Sequence, residues 1–235
     1  MSMMVVRPPS SAVVVPGSIT EDPSAPAVVH TAGVANLTTA SFSPPANSLV
    51  MAISIGGWHS SGTPSAVHTD SKGSAYTVAF AQTGDPTTSG GYIRISFHYF
   101  ATAPGAMTVT STNAVAGAWS LQVLVLNGAA ATQTGATAGA QFLDTTVFTK
   151  SITTTAARSR VYGAVDDSKS TNTLTAAANT ALTSANWTET TADLVSQVFI
   201  KASAATVTPG PVTLGVNDSS SAARGVIALW EVLAA

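Results

Sequence analysis

The sequence predicts an all-β fold: an antiparallel two-sheet sandwich with jelly-roll character, built from two pseudo-repeats and preceded by an extended N-terminal arm. Three observations predict it. Residues 118–128, AWSLQVLVLNG, run from Trp119 through Leu121, Val123, Leu124, Val125 and Leu126 to an Asn127-Gly128 turn signal. That is the pattern of a central strand buried on both faces. The chain closes on a second such stretch, RGVIALWEVL at 224–233. Blocks around these stretches also recur in order at nearly one spacing. Ser48-Leu49-Val50-Met51-Ala52 stands 111 residues before Ser159-Arg160-Val161-Tyr162-Gly163, and Pro104-Gly105 stands 105 before Pro209-Gly210. Leu121, Val123 and Leu126 stand 106 before Ile227, Leu229 and Val232. Such recurrence marks a repeated structural unit. Two units give about ten to twelve strands in one sandwich. Two tandem sandwiches of about 100 residues, each with its own core, are the alternative.

Residues 1–35 read as the arm. Pro8, Pro9, Pro16, Pro23 and Pro26 forbid a regular helix and disfavour central strands. Between them lie short apolar pieces, Met3, Met4, Val5 and Val6, then Val13, Val14 and Val15. These suit docking as extended segments, either on the chain's own body or on a partner. The alternative is an unstructured terminus.

The body, 36–235, divides into pseudo-repeats of about 36–128 and 142–235. In the first, strands are expected at 37–42, 48–55, 67–70, 75–80, 92–100, 107–111 and 119–126. Proline, glycine and Asp-Ser-Lys-Gly turns separate them. Residues 129–141, AAATQTGATAGAQ, read as a linker or long surface loop. The second repeat should hold strands at 147–154, 161–165, 188–191, 194–202, 212–216 and 224–233, with Asp166-Asp167-Ser168 as a polar turn.

Composition narrows the function classes. Only 9% of residues are charged, and the net charge is −2 with no basic or acidic block. Nucleic-acid grooves need clustered Lys and Arg, so no nucleic-acid partner is expected. The absence of cysteine excludes disulfides, Cys-based zinc sites and thiol chemistry. No apolar run reaches the length of a membrane-spanning helix. The start, MSMMVVRPPSSAVVVPGS, is broken by Arg7 and prolines and does not read as a signal peptide. Low surface charge suits a protein packed among neighbours.

The chemistry-bearing residues are few. His30, His59, His68 and His98 show no HxH or HxxxH spacing. There is no G-x-S-x-G elbow and no alternating acidic run that would face two carboxylates. Asp166-Asp167 with Ser168 offers oxygens for Ca²⁺, against the plainer reading of a solvated turn. No catalytic residue, cofactor or metal is therefore expected. Trp58-His59, Tyr92, Tyr162 and Trp187 remain as aromatic platforms for a sugar ring, against the plainer reading of rings folded onto the sheet.

Several stretches carry a family resemblance: FSPPANSLVMAISI at 42–55, TDSKGSAYTVAF at 69–80, FHYFATAPGAMTVTST at 97–112, WSLQVLVLNGA at 119–129 and GVIALWEVL at 225–233. The chain resembles β-sandwich virion proteins, minor tail or accessory, of bacteriophages that infect actinobacteria. The resemblance covers about residues 36–235 and implies no catalytic residues. It implies a non-enzymatic structural protein, made in the host cytoplasm without a signal peptide and displayed on a tailed particle as a minor tail or capsid decoration protein. The arm would dock it to other virion proteins, loops 56–66 and 82–91 would face outward, and symmetric sites would favour a homo-oligomer. The alternative expectation, from a different class, is a lectin-like module that binds a host-envelope glycan.

Overall fold

The computed structural model describes residues 18–57, 65–84, 90–169, 171–190, 194–219 and 223–235. Every regular element among them is a β-strand, and every strand pairing is antiparallel. The first repeat contains β1 (Thr20–Glu21), β2 (Val29–Thr38), β3 (Ser48–Gly56), β4 (Ala66–Asp70), β5 (Thr77–Thr83), β6 (Tyr92–Phe100) and β7 (Val109–Asn127). The second contains β8 (Thr137–Phe142), β9 (Val147–Thr153), β10 (Arg160–Asp167), β11 (Thr175–Ala176), β12 (Thr180–Leu182), β13 (Trp187–Glu189), β14 (Val195–Ala202), β15 (Pro211–Asn217) and β16 (Gly225–Val232).

The repeat seen in the sequence is a repeat of registers. In the first half β3 lies between β6 and β7, and Ile53 stands opposite both Ile95 and Gln122. In the second half β10 lies between β14 and β16, and Ala164 stands opposite both Phe199 and Ala228. Ala164 follows Ile53 by 111 residues and Ala228 follows Gln122 by 106, the offsets read from sequence. β3 and β10 are each flanked on both edges and covered on both faces, so their central runs, 49–53 and 161–165, are apolar.

The two inner sheets pack face to face. Leu49, Met51, Ile53, Ile55, Ile93 and Ile95 from one meet Tyr162, Ala164, Phe199, Val226, Ala228 and Trp230 from the other. Each sheet is then covered again on its far side. In the first repeat Val50, Ala52, Leu121, Val123 and Val125 pack beneath Leu37, Ala66, Met107 and Val109. In the second, Val161, Val165, Val198, Ile227 and Leu229 pack beneath Phe148, Ile152, Leu214 and Val216. Three apolar cores are therefore stacked. The central two-sheet sandwich is present, and each repeat also owns a core, which joins the two arrangements weighed from sequence.

Four details depart from the expected strands. The expected segments 107–111, from Val109 onward, and 119–126 belong to one 19-residue strand, β7, while Met107 makes an isolated bridge to Phe42. Its first part pairs with β4 in the outer layer, and its second part pairs with β3. Small residues at the junction, Ala116, Gly117 and Ala118, let the strand pass between layers, and β2 opposite absorbs the bend with register shifts around Val34. In the second repeat the same path is divided between β15, which ends at Asn217, and β16, which begins at Gly225, and the outer strands form a separate three-stranded sheet, β11-β15-β9.

The expected linker 129–141 is also partly strand. β8 pairs along β16, and its small residues reflect a close neighbour: a Cβ on Gly139 would lie 2.8 Å from the Phe80 ring. The polar turn expected at 166–168 is instead the buried end of β10, where Asp166 and Asp167 have no exposed surface. Finally, the body begins before residue 36. β1 pairs with Leu126 and Asn127 of β7, and Asp22 accepts a 2.8 Å hydrogen bond from Asn127 Nδ2. Proline excludes β1's flanks from a long strand, but two residues of pairing and the Glu21–Lys201 ion pair at 2.5 Å hold the segment.

One buried acid fixes the second repeat. The Glu231 carboxylate on β16 accepts hydrogen bonds from the backbone N–H groups of Ala136, Thr155 and Ala156 and from the Thr155 hydroxyl, at 2.8–3.1 Å. Burial alone would raise its pKa. The Ser159 hydroxyl, the Ala136 and Thr155 amides and the Thr155 hydroxyl outweigh burial and hold the group below the usual carboxylate range. Glu231→Gln supplies one acceptor and an unwanted NH2 donor to a site made only of donors. It should cost about 2–3 kcal/mol, checked by urea unfolding at neutral pH.

Candidate functional site

The residues singled out from sequence do not converge. Met3, Met4, Val5, Val6, Val13, Val14 and Val15 of the arm, and Trp58 and His59, lie outside the described residues. Tyr92 is not an open platform: it is buried, with its ring edge-on to Trp119 at 6.2 Å. Inward-facing alternation along β6 puts it there, since Tyr92 and Arg94 share the face opposite Ile93 and Ile95. Tyr162 is buried in the seam between the repeats. Trp187 is half-buried, and one face of its indole is taken by His30, stacked at 4.9 Å and 13°.

Asp166 and Asp167 are consumed in structure as well. Asp166 accepts from the Ser168 hydroxyl and from Gln197 Nε2, and Asp167 accepts from the amides of Lys169 and Arg224. The carboxylates hold the end of β10 to its neighbours, and a Cβ on Gly91 would lie 2.6 Å from Asp166 Oδ2. No group of three or more His, Cys, Asp or Glu among the described residues is placed to hold a metal ion.

Asp166 is one end of a directed chain across the seam. A carboxylate only accepts, so Gln197 turns its amide N–H toward Asp166 and its Oε1 toward Ser120 at 2.5 Å. The Ser120 proton is then spent on Gln197, so His30 Nδ1 must donate to Ser120 across 2.7 Å. Burial lowers the His30 pKa and favours the neutral ring. The chain therefore fixes the tautomer and joins β7 of one repeat to β14 of the other.

The densest polar constellation is one that sequence reasoning missed. It lies inside the first repeat, between β3 and β6 of the inner sheet and β4 and β7 of the outer layer. Ser54, His68, Ser96, Ser111 and Asn113 are all buried. Ser54 Oγ donates to Ser111 Oγ at 2.7 Å, and Ser111 Oγ donates to Asn113 Oδ1 at 2.8 Å. With its proton spent, Ser54 must accept from His68 Nε2 at 2.7 Å, so the neutral ring presents its Nδ1 lone pair to the Ser96 hydroxyl. Arg94, directly opposite Ser54 on β6, completes the group.

Ser96 donating to an imidazole has the outline of a nucleophile and its base. The electrostatics work against that chemistry. Burial first, and the nearby Arg94 charge second, lower the His68 pKa to about 3. An imidazole so depressed is a poor base at neutral pH, and Ser96 and His68 are buried. The sequence signal for this cluster was Ser54 within the apolar run MAISIGG and the polar file Arg94, Ser96 and His98 alternating with the apolar residues of β6.

No family model, curated protein or solved structure matches the chain.

Proposed function

We propose that the protein is a non-enzymatic structural component of a tailed bacteriophage particle, attached through its N-terminal arm. The observation that carries this reading is the relation between arm and body. From Ser18 onward the described residues fill three apolar cores by themselves. The chain enters that body at a sheet edge, through β1, whose only partner strand among the described residues is β7. The C-terminus lies beside the same point, with Ala129 bridged to Ala234 and the Ala235 amide donating to Gly128. Residues 1–17 precede this entry point and carry two short apolar segments rich in valine, suited to adding a strand to a neighbour. The low charge and the resemblance to virion sandwich proteins support the same reading.

Deleting residues 1–17 is expected to leave the unfolding free energy, measured with urea, within about 0.5 kcal/mol of the full chain, because the three cores are built from residue 18 onward. The same deletion should remove the protein from purified particles. Particles that keep their normal complement would refute attachment by the arm. Gold-labelled antibody on intact particles then separates the two placements: head label means capsid decoration and tail label means a minor tail protein. Absence of label, with antigen shown to be accessible, overturns the virion reading itself.

A further inference from the structure

We propose that the polar centre of the first repeat is a binding site for a small oxyanion, a carboxylate or phosphate group, held by Arg94 and Asn113. The inference comes from counting donors and acceptors. The hydrogen-bond chain runs in one direction only: Ser96 to His68, His68 to Ser54, Ser54 to Ser111, Ser111 to Asn113 Oδ1. Every hydroxyl proton in it is used, and the ring's single proton is used as well. What remains over at its end is a donor, the buried Asn113 Nδ2, which has no partner. Arg94 Nε, beside Ser54, is a second buried donor without a partner.

The surplus is of one sign. Neither ion pair among the described residues involves Arg94, and no carboxylate among them is paired with its charge. His68 adds no acceptor, because its Nδ1 lone pair already receives Ser96. Buried donors of this kind are rarely left unmet in native proteins, because an unmet one loses its hydration without compensation. A ligand that accepts two hydrogen bonds and carries negative charge removes both penalties and neutralises the guanidinium. Arg is the side chain best shaped for that work, since its planar fork matches two oxygens of a carboxylate or phosphate. Arg94 as a whole is only partly buried, although its Nε is enclosed.

The test is a titration of the uniformly ¹⁵N-labelled full-length chain with sodium phosphate and, separately, sodium acetate, at ionic strength held constant with sodium chloride. The Arg94 Nε–H and Asn113 Nδ2–H2 signals should move together and saturate. Saturation with phosphate alone assigns a phosphate-type ligand, and saturation with acetate alone or tighter assigns a carboxylate. Arg94→Lys should weaken binding tenfold or more by losing the fork, and Arg94→Gln should abolish it. Each variant's thermal transition reports whether it is folded. If neither anion moves these signals in the wild-type chain up to tens of millimolar, or if chloride alone moves them equally, solvent satisfies the donors and the proposal falls. This result leaves the virion assignment untouched, since that rests on the arm.

Discussion

Acidification should destabilise this protein from well above the range in which its carboxylates titrate, and His68 should be the main cause of that early loss. The folded value of about 3 lies below the ordinary 6.5. As pH falls below 6.5 the unfolded chain binds a proton that the folded chain refuses. The stability owed to neutral His68 is therefore complete above about pH 6.5, declines by up to about 1.4 kcal/mol per pH unit, and is exhausted near pH 3. The full loss is of order 4–5 kcal/mol, a large part of the 5–15 kcal/mol typical of a folded domain.

His68→Gln isolates the effect. Its amide N–H can replace the ring Nε2–H toward Ser54, and its carbonyl can replace the lone pair toward Ser96. The variant should lose about 1–2 kcal/mol at pH 7 yet show a shallower dependence between pH 6.5 and 4.5. Urea unfolding across that range measures the difference in slope, about one proton per molecule at most. His30 also has a lowered value, but it remains in both proteins and cancels. Below the ordinary carboxylate value of 4.5, Glu231 adds its own loss as pH falls through its depressed folded value. Identical slopes for wild type and variant would show that His68 is protonated in the fold.

The parts legible from sequence were those where one residue's burial decides its type. β3, β6, β10 and β16 are covered on both faces or nearly so, and their apolar runs located them within a residue or two. The repeat was legible for the same reason, because register needs the same residue class at the same station. What failed depended on a distant neighbour. β8 lacks apolar alternation because β5 crowds Gly139, so a strand read as a loop. Asp166 and Asp167 have turn chemistry locally, and only Gln197 and Arg224, far along the chain, make them interior groups. The His68 cluster draws on β3, β4, β6 and β7, so no spacing within one segment could announce it. Tyr92 and Tyr162 show the converse error: aromatic residues near turns were read as platforms, while strand parity aims both rings inward.

The seam between the repeats carries the last expectation, that Trp230→Ala costs about 3–5 kcal/mol and leaves a single thermal transition. Trp230 is 2% exposed, stacks on Phe97 of the other repeat at 5.0 Å and 17°, and sits in the core shared by both inner sheets. The cooperativity follows from what separation would expose. Leu49, Met51, Ile53, Ile55, Ile93 and Ile95 share that core with Tyr162, Ala164, Phe199, Val226, Ala228 and Trp230 of the second repeat. Exposing six such side chains costs about 9–18 kcal/mol at 1.5–3 kcal/mol each, as much as a whole domain's stability. Neither repeat should persist alone, although each has a core of its own. A substitution within the first repeat, Trp119→Ala, should then lower the melting temperature of the whole molecule and not of one half. Calorimetry decides it: a van't Hoff enthalpy equal to the calorimetric enthalpy in wild type and both variants supports one cooperative unit. A second transition that appears in Trp119→Ala, with the second repeat still folded, would mean that the seam holds two independent sandwiches together without making them one.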